Sequence, residues 1–207
     1  MGVRYPIVQT GMGWVAGPRL VAATANAGGL GILASATMTL EQMASAIAEV
    51  RSRTTAPFGV NLRTDVADVG ERISLMIESG ARVASFAQAP NPALVTRCKE
   101  AGLFVMPTVG ARRHAEKVAE WGVDAVIAQG AEGGGHTGTV PTSLLLPQVV
   151  DAVGDRVLVV AAGGWSPRWR TAPRVSPWAP ASCCPPKVAS LTGSRNSTWR
   201  HPSPARS

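Results

Sequence analysis

The sequence predicts an α/β fold in which parallel strands alternate with helices. Short β-branched runs recur through residues 1–164, and helical patterns of about 10–15 residues separate them. Each helical pattern has apolar residues three and four positions apart, which leaves one face to cover a sheet. A (β/α)8 (TIM) barrel that stops after seven strands and a doubly wound open sheet share this local order, so periodicity alone leaves both open.

Seven strands and six helices follow from this pattern. Strands are predicted at residues 7–9, 30–33, 58–62, 83–86, 104–107, 125–128 and 157–161. The first helix begins at Pro18, which suits a first helical turn, and stops at Gly28-Gly29. Thr39 and Gln42 have the spacing of a capping box before the second helix. The other helices are predicted at about residues 69–78, 92–100, 112–121 and 143–153.

Composition excludes several classes of protein. Of the 207 residues, 45% are hydrophobic, enough for a packed core. Since no apolar run approaches the roughly 18 residues that span a bilayer, no membrane association is expected. The first six residues lack the features of a secretory signal, and three cysteines make no disulfide framework, so a cytoplasmic location is expected. Cys183-Cys184 lacks the spacing of a zinc site, so no metal is expected.

The net charge of +7 lies entirely in the last 43 residues. Residues 1–164 hold 13 basic and 13 acidic residues, whereas residues 165–207 hold seven basic residues and no acidic one. The same segment carries eight of the 16 prolines and four of the six tryptophans. We therefore expect a barrel domain over residues 1–164 and a mostly unstructured tail over residues 165–207. A nucleic-acid-binding tail is the rival interpretation, but no recognisable RNA-binding module accompanies it, so no nucleic-acid partner is expected.

Glycine-rich segments follow several predicted strands. Strand one leads into Gln9-Thr10-Gly11-Met12-Gly13, strand six into Gln129 and residues 130–138, and strand seven into Gly163-Gly164, while Asn61 lies at the end of strand three. Ligands of parallel α/β folds bind at the carboxyl ends of the strands. A backbone without side chains lets main-chain N–H groups approach a flat ring or a phosphate. An ordinary tight turn would explain a single pair of glycines, but it explains less readily why glycines recur at several strand ends on the same edge of the sheet.

His136 is the candidate catalytic residue, because its imidazole follows Gly133-Gly134-Gly135 at a predicted strand end. An imidazole with a pKa near its usual value of about 6.5 can remove a proton at neutral pH. A polar loop residue that bonds to the backbone is the simpler alternative. His114 lies inside a predicted helix and is interpreted as a solvent-exposed helical residue.

Four segments in order resemble the nitronate monooxygenase family. They are residues 5–12 (YPIVQTGM), 27–31 (AGGLG), 57–61 (PFGVN) and 130–138 (GAEGGGHTG). The resemblance covers residues 4–164, and its most specific element is the Glu-x-Gly-Gly-His-x-Gly segment.

This resemblance implies an FMN-dependent TIM barrel and assigns roles to individual residues. It implies that Gly11 and Met12 lie against the flavin ring, and that Asn61 and Gln129 contact flavin or substrate. Gly134 and Gly135 would approach the ring, and Gly163 and Gly164 would form part of the phosphate cradle. By the same resemblance, His136 would take a proton from the carbon beside a nitro group while the flavin accepts electrons.

The first motif departs from the usual nitronate pattern, which reads Gln-x-Pro-Met or Gln-Gly-Gly-Met. The version here resembles a branch from steroid-degrading bacteria that acts on acyl-CoA esters. Two small-molecule substrate classes therefore stay open: alkyl nitronates, with O2 as a co-substrate, and steroid-ring-derived acyl-CoA esters. An inactive remnant is a third interpretation, and homo-oligomerisation is left open.

The tail lacks the eighth-strand motif of the family, Gly-Val-x-x-Gly-Thr-Arg-Phe. Degenerate codons for residues 170–184 permit that motif in another reading frame, and the composition changes abruptly after Gly164. The hypothesis is that a frameshift produced residues 165–207. We then expect the barrel to stop after strand seven, with strand edges unpaired.

Overall fold

The computed structural model describes residues 1–135 and 137–163. Strands β1–β7 are Val8–Gln9, Leu30–Ala34, Phe58–Leu62, Val83–Phe86, Phe104–Val109, Ala125–Gln129 and Leu158–Ala162. Helices α1–α6 are Pro18–Asn26, Leu40–Arg53, Val69–Ser79, Pro92–Glu100, Arg112–Glu120 and Thr142–Val153. Every predicted strand and helix is present in this part of the chain, and the ends that were predicted differ from the observed ones by at most two residues.

The strand order separates the two architectures that the sequence left open. The seven strands pair in the order β1-β2-β3-β4-β5-β6-β7, and every pair is parallel. Each crossover thus moves the chain one strand further in the same direction. A doubly wound sheet reverses its strand order at a switch point, so that alternative is wrong. The order is that of a TIM barrel through seven of its eight strands.

Local capping explains where the helices begin. The Thr39 hydroxyl accepts a bond from the Gln42 amide at 3.2 Å, and the Gln42 side chain accepts one from the Thr39 amide at 2.9 Å. The predicted capping box of α2 is therefore confirmed. The Asn91 side chain caps α4 in a similar way, accepting from the Leu94 amide at 2.9 Å. Pro18 occupies the first turn of α1, as predicted.

Strand β5 runs two residues beyond its predicted end at Pro107. Thr108 and Val109 pair with Ile127 and Ala128 of β6, which keeps the chain extended past the proline. The extension matters for the site because it brings Gly110 to the same edge as the end of β6.

Two hydrophobic clusters lie on opposite faces of the sheet. The smaller one has only strand residues as its buried members and fills the inner face: Leu30, Ile32, Val83, Met106, Ala125 and Ile127. The larger one joins the outer face of the strands to the apolar faces of the helices, including Met43, Ile73 and Leu145. The strands are thus held between an inner layer and a helical layer, and their carboxyl ends form one rim.

None of the helices within residues 1–135 and 137–163 combines the length and apolar character needed to cross a bilayer. The predictions made for residues 165–207, the frameshift among them, concern a segment outside the described residues.

Candidate functional site

The first group of candidate residues lies where β1, β2, β3 and β4 end. Gly11, two residues after β1, lies directly against Asn61: a Cβ at Gly11 would lie 2.5 Å from the Asn61 Cβ. Asn61 is buried, its amide Nδ2 donates to the Ser85 hydroxyl at 3.4 Å, and its backbone carbonyl accepts from the Ser35 hydroxyl at 2.6 Å. Only glycine at position 11 allows the β1 loop to rest on this polar cluster.

Gln9, the last residue of β1, has an unsatisfied acceptor. Its Nε2 donates to the Ile32 carbonyl at 3.2 Å. Its Oε1 is buried and has no hydrogen-bond partner among the residues that the structure describes. A buried acceptor without a donor costs about 1–3 kcal/mol, so this atom is suited to a donor on a bound ligand.

The second group lies in the loop that follows β6. A Cβ at Gly130 would lie 2.1 Å from the Thr142 Oγ1, and one at Gly133 would lie 2.7 Å from the Gln129 Cγ. The Gln129 side chain donates from Nε2 to the Gly134 carbonyl at 2.8 Å. The loop therefore folds back over the end of its own strand, and glycines permit the close approach.

Glu132 fastens this loop to the start of α6. Its carboxylate Oε2 accepts from both the amide and the hydroxyl of Thr142, each at 2.8 Å. Bonds to a carboxylate favour its charged form. The backbone N–H of Thr142, then the backbone N–H of Glu132 itself and the Thr142 hydroxyl, hold the pKa of Glu132 below its usual value. A negative charge at a helix amino end is also favourable. Glu132 thus works as the anchor of the glycine-rich loop.

Two further strand ends reach the same loop. Gly163, after β7, has a φ of +86°, and a Cβ there would lie 2.7 Å from the Gly133 amide nitrogen. On the other side, a Cβ at Gly138 would lie 2.7 Å from the Gly110 carbonyl oxygen. The ends of β5, β6 and β7 therefore meet backbone to backbone.

Other candidate glycines face open space. A Cβ added to Gly134 or Gly135 would meet nothing within 4 Å. Across the rim, Met12 is 40% exposed and Trp14, which has a φ of +64°, is 89% exposed. The rim thus has open backbone on one side and uncovered apolar side chains on the other. His136 and Gly164 lie outside the described residues, and their roles stay predictions.

Sequence reasoning missed Arg72, a buried cation behind the rim. Its guanidinium donates to the Ser35 carbonyl at 3.1 Å and to the Met38 carbonyl at 2.7 Å, and pairs with Asp68 at 2.9 Å. It therefore holds the loop between β2 and α2, which carries Ser35. The four-residue spacing of Asp68 and Arg72 could have indicated this ion pair from the sequence. Exposed ion pairs on helix surfaces commonly have the same spacing, so it did not identify Arg72 as buried.

A cleft of about 860 Å³, lined by both polar and apolar groups, opens beside the same rim. It is bounded by the loop between β4 and α4 (residues 87–91) with Pro92 at the start of α4, by the ends of β5 and β6, and by one face of α5. His114 is exposed, as predicted, and lines this cleft together with Lys117 and Trp121. Sequence reasoning missed the last two, although their spacing on α5 places them on the face that carries His114.

The strand order and the glycine-rich rim together define an α/β barrel whose ligand site lies at the carboxyl ends of its strands. The family model described as nitronate monooxygenase matches residues 1–170. The chain belongs to the nitronate monooxygenase family, whose members are flavin-dependent oxidoreductases.

Three relatives illustrate the range of this family. Over 166 residues, the chain is 64% identical to the "(3aS,4S,5R,7aS)-5-hydroxy-7a-methyl-1-oxo-octahydro-1H-indene-4-carboxyl-CoA dehydrogenase" of Mycobacterium tuberculosis, a match covering 80% of this chain and 47% of that protein. It is 30% identical to a probable nitronate monooxygenase of Staphylococcus aureus, covering 79% and 59% of the two chains. The solved nitroalkane oxidase of Streptomyces ansochromogenes superposes with a TM-score of 0.73 at 31% identity, covering 79% and 60%.

The chain spans about half the length of the curated relatives that it matches at more than 60% identity. These matches establish the family, and the substrate is a separate question.

Proposed function

We propose that this chain carries the flavin-binding rim of an FMN-dependent oxidoreductase that oxidises alkyl nitronates. The observation that carries the proposal is the backbone cradle formed by the β6 loop against Gly163 and Gly110. Bare backbone amides are suited to the edge of a flat ring and to a phosphate. The strands follow one another in barrel order rather than in the doubly wound order of dinucleotide-binding folds, which favours FMN over dinucleotide cofactors.

The residues present fit a flavin. The buried Gln9 Oε1 lacks a donor among the described residues, and a ring N–H would supply one. The open space beside Gly134 and Gly135 admits a planar group, and exposed Met12 supplies apolar surface for it. Bound FMN would supply the electron acceptor. Asn61 and Gln129 would orient flavin or substrate from opposite parts of the rim, and Gly163 with Gly164 would contribute to the phosphate site.

His136 would act as the base. It follows Gly135 in the chain and precedes Thr137, which lines the cleft. The imidazole would accept the proton from the carbon beside the nitro group of a neutral nitroalkane. A nitronate anion has already lost that proton, so the histidine matters less for the anionic substrate.

A matched pair of glycine substitutions tests the cradle. Gly135 and Gly122 both have a φ of +79° and open space around the added Cβ, but Gly122 follows α5 at the opposite end of the barrel. Asparagine tolerates this backbone conformation, so Gly135→Asn and Gly122→Asn should each destabilise the fold by only about 1 kcal/mol. FMN titration followed by fluorescence should show about tenfold weaker binding for Gly135→Asn alone. Equal FMN affinity in both variants would count against the cradle.

The base is tested separately. In a preparation that holds FMN, His136→Ala should lower turnover of a neutral nitroalkane by about 10²–10⁴ while flavin stays bound. Turnover of the preformed nitronate should fall much less. An unchanged rate with the neutral nitroalkane would remove His136 from the mechanism.

A second candidate function is supported by the comparisons. The chain is 64% identical to an enzyme named as a carboxyl-CoA dehydrogenase and 30% identical to a probable nitronate monooxygenase. The second candidate is therefore a flavin-dependent dehydrogenase of a steroid-ring-derived acyl-CoA ester, with His136 as acid or base beside the thioester. Anaerobic flavin reduction by such an ester, without reaction toward nitronates, would favour it. Oxygen consumption with nitronates alone would favour the first.

A further inference from the structure

The cleft beside the rim is larger than a small nitronate requires. It has a volume of about 860 Å³, whereas sites for drug-sized ligands have about 300–1,000 Å³. It runs from Gln129 and Gly110 at the strand ends outward to α5. A ligand that fills it would therefore be extended, with one end at the candidate reaction site and the other beside α5.

The outer end of the cleft suits an anion. His114 and Lys117 of α5 and Trp121, directly after α5, line it, and no acidic residue is among the described residues that line the cleft. The residues up to Gly164 carry no formal net charge. The positive charge of Lys117 in the cleft is therefore a local feature rather than part of a general excess of basic residues. Within the part of the chain that the structure describes, no carboxylate inside the cleft competes with a ligand anion for Lys117.

Trp121 holds this lysine in place. The Lys117 ammonium lies 5.5 Å from the centre of the Trp121 ring, within the range of a cation–π contact. Trp121 is half-buried and packs against the main core, so its ring is a fixed support. The contact restricts a side chain that would otherwise lose considerable rotamer entropy on binding a ligand.

We infer that this cleft binds the phosphate-bearing arm of a CoA ester, with Lys117 contacting a phosphate and Trp121 positioning Lys117. The inference rests on the second candidate function, because a CoA ester is long, carries its phosphates far from the thioester and needs both ends accommodated. The polar side chains of Gln88 and Asn91 would line the path of the amide-rich pantetheine segment.

Direct binding tests this assignment without requiring turnover. The 207-residue chain is titrated with CoA and with pantetheine, which lacks the phosphates, by isothermal calorimetry. Lys117→Ala should weaken CoA binding about tenfold, as expected for one lost phosphate contact, and leave pantetheine binding unchanged. Lys117→Arg should retain most of the affinity. Trp121→Leu should weaken CoA binding by a smaller factor, about two- to threefold, because the ammonium stays but is no longer held.

Arg156 provides the matched control. It is exposed in the connection between α6 and β7 and does not line the cleft. Arg156→Ala removes the same charge and should leave the affinity for CoA unchanged. An equal loss in both alanine variants, or no loss in Lys117→Ala, would overturn the assignment, as would a wild-type chain that does not bind CoA.

FMN titration of the same samples separates the two proposals. A chain that binds FMN and turns over nitronates but ignores CoA would overturn the cleft assignment and leave the proposed nitronate function standing. A chain that binds CoA through Lys117 but never binds FMN would overturn the proposed flavin function and leave the cleft assignment standing.

Discussion

The interior strands and the edge strands of this sheet differ sharply in burial. Every residue of β2, β3 and β4 is buried, whereas both residues of β1 are half-buried and β7 has exposed and half-buried positions only. Ile7, just before β1, is 64% exposed, and Leu158 in β7 is 46% exposed. The interior strands pair on both sides, but within the described residues β1 pairs only with β2 and β7 only with β6. Neighbours on both sides, rather than hydrophobicity, account for the difference.

The comparison shows where the candidate site is firmly held and where it is not. Asn61 and Ser85 belong to the fully paired strands, while Gln9 and Gly163 lie at or beside the edge strands. The part of the rim at β1 and β7 is therefore built on strands that pair on one side, and the rest on strands that pair on both sides.

The largest expected effect contrasts one side chain from each region. Phe86→Ala removes a fully buried ring from β4 and should lower the free energy of unfolding by about 3–5 kcal/mol. Leu158→Ala in β7 should lower it by less than about 1 kcal/mol, because much of its side chain already contacts solvent. Urea unfolding followed by circular dichroism measures both. Similar losses would mean that β7 is covered in solution.

A smaller effect is expected at Arg72, the buried cation that holds the loop after the interior strand β2. Arg72→Ala leaves the carbonyls of Ser35 and Met38 without their donor and should cost about 2–3 kcal/mol. Asp68→Asn keeps an acceptor for the guanidinium at a partly exposed position, so it should cost less than about 1 kcal/mol. Amide exchange at residues 35–38 should rise in Arg72→Ala alone. Unchanged exchange would show that Arg72 does not hold this loop.

The smallest effect is expected at the anchor of the β6 loop. The pKa of Glu132 is lowered in the folded protein, so its contribution is fully present above the unfolded pKa of the carboxyl group and is lost as the pH falls through the lower folded value. In the wild type, exchange of the Thr142 amide should therefore accelerate in that acidic range. Glu132→Gln should remove most of this pH dependence, and Glu78→Gln, an exposed change on α3, should leave it intact. A pH dependence that survives in Glu132→Gln would contradict the anchoring role.

Local sequence signals were sufficient for the secondary structure. The capping box at Thr39, the proline at position 18 and the glycines after α1 act within a few residues, so the helix boundaries could be predicted without knowing the fold. The glycine-rich segments do lie at the strand ends, but their predicted approach to a flavin ring or a phosphate stays a prediction. The frameshift hypothesis for residues 165–207 stays a prediction.

The contacts that shape the site could not be predicted in this way. Nothing local indicates that Gly11 rests on Asn61, fifty positions away, or that Gly163 packs against Gly133. The cation–π contact of Lys117 with Trp121 joins residues four positions apart. The cleft beside it, however, is also lined by residues from four strand-end loops and from β5 and β6. Such features depend on strand order and register.

The sequence by itself determined the alternation of strands and helices, the helix ends, the family resemblance and the neutral charge of the first 164 residues, because these depend on neighbours along the chain. Tertiary structure alone decided between a barrel and a doubly wound sheet, because the two folds differ in the side on which each new strand pairs with the sheet. It also decided which polar atoms are buried and which glycines face open space. Both follow from packing between segments far apart in sequence, where the same local pattern is compatible with several arrangements.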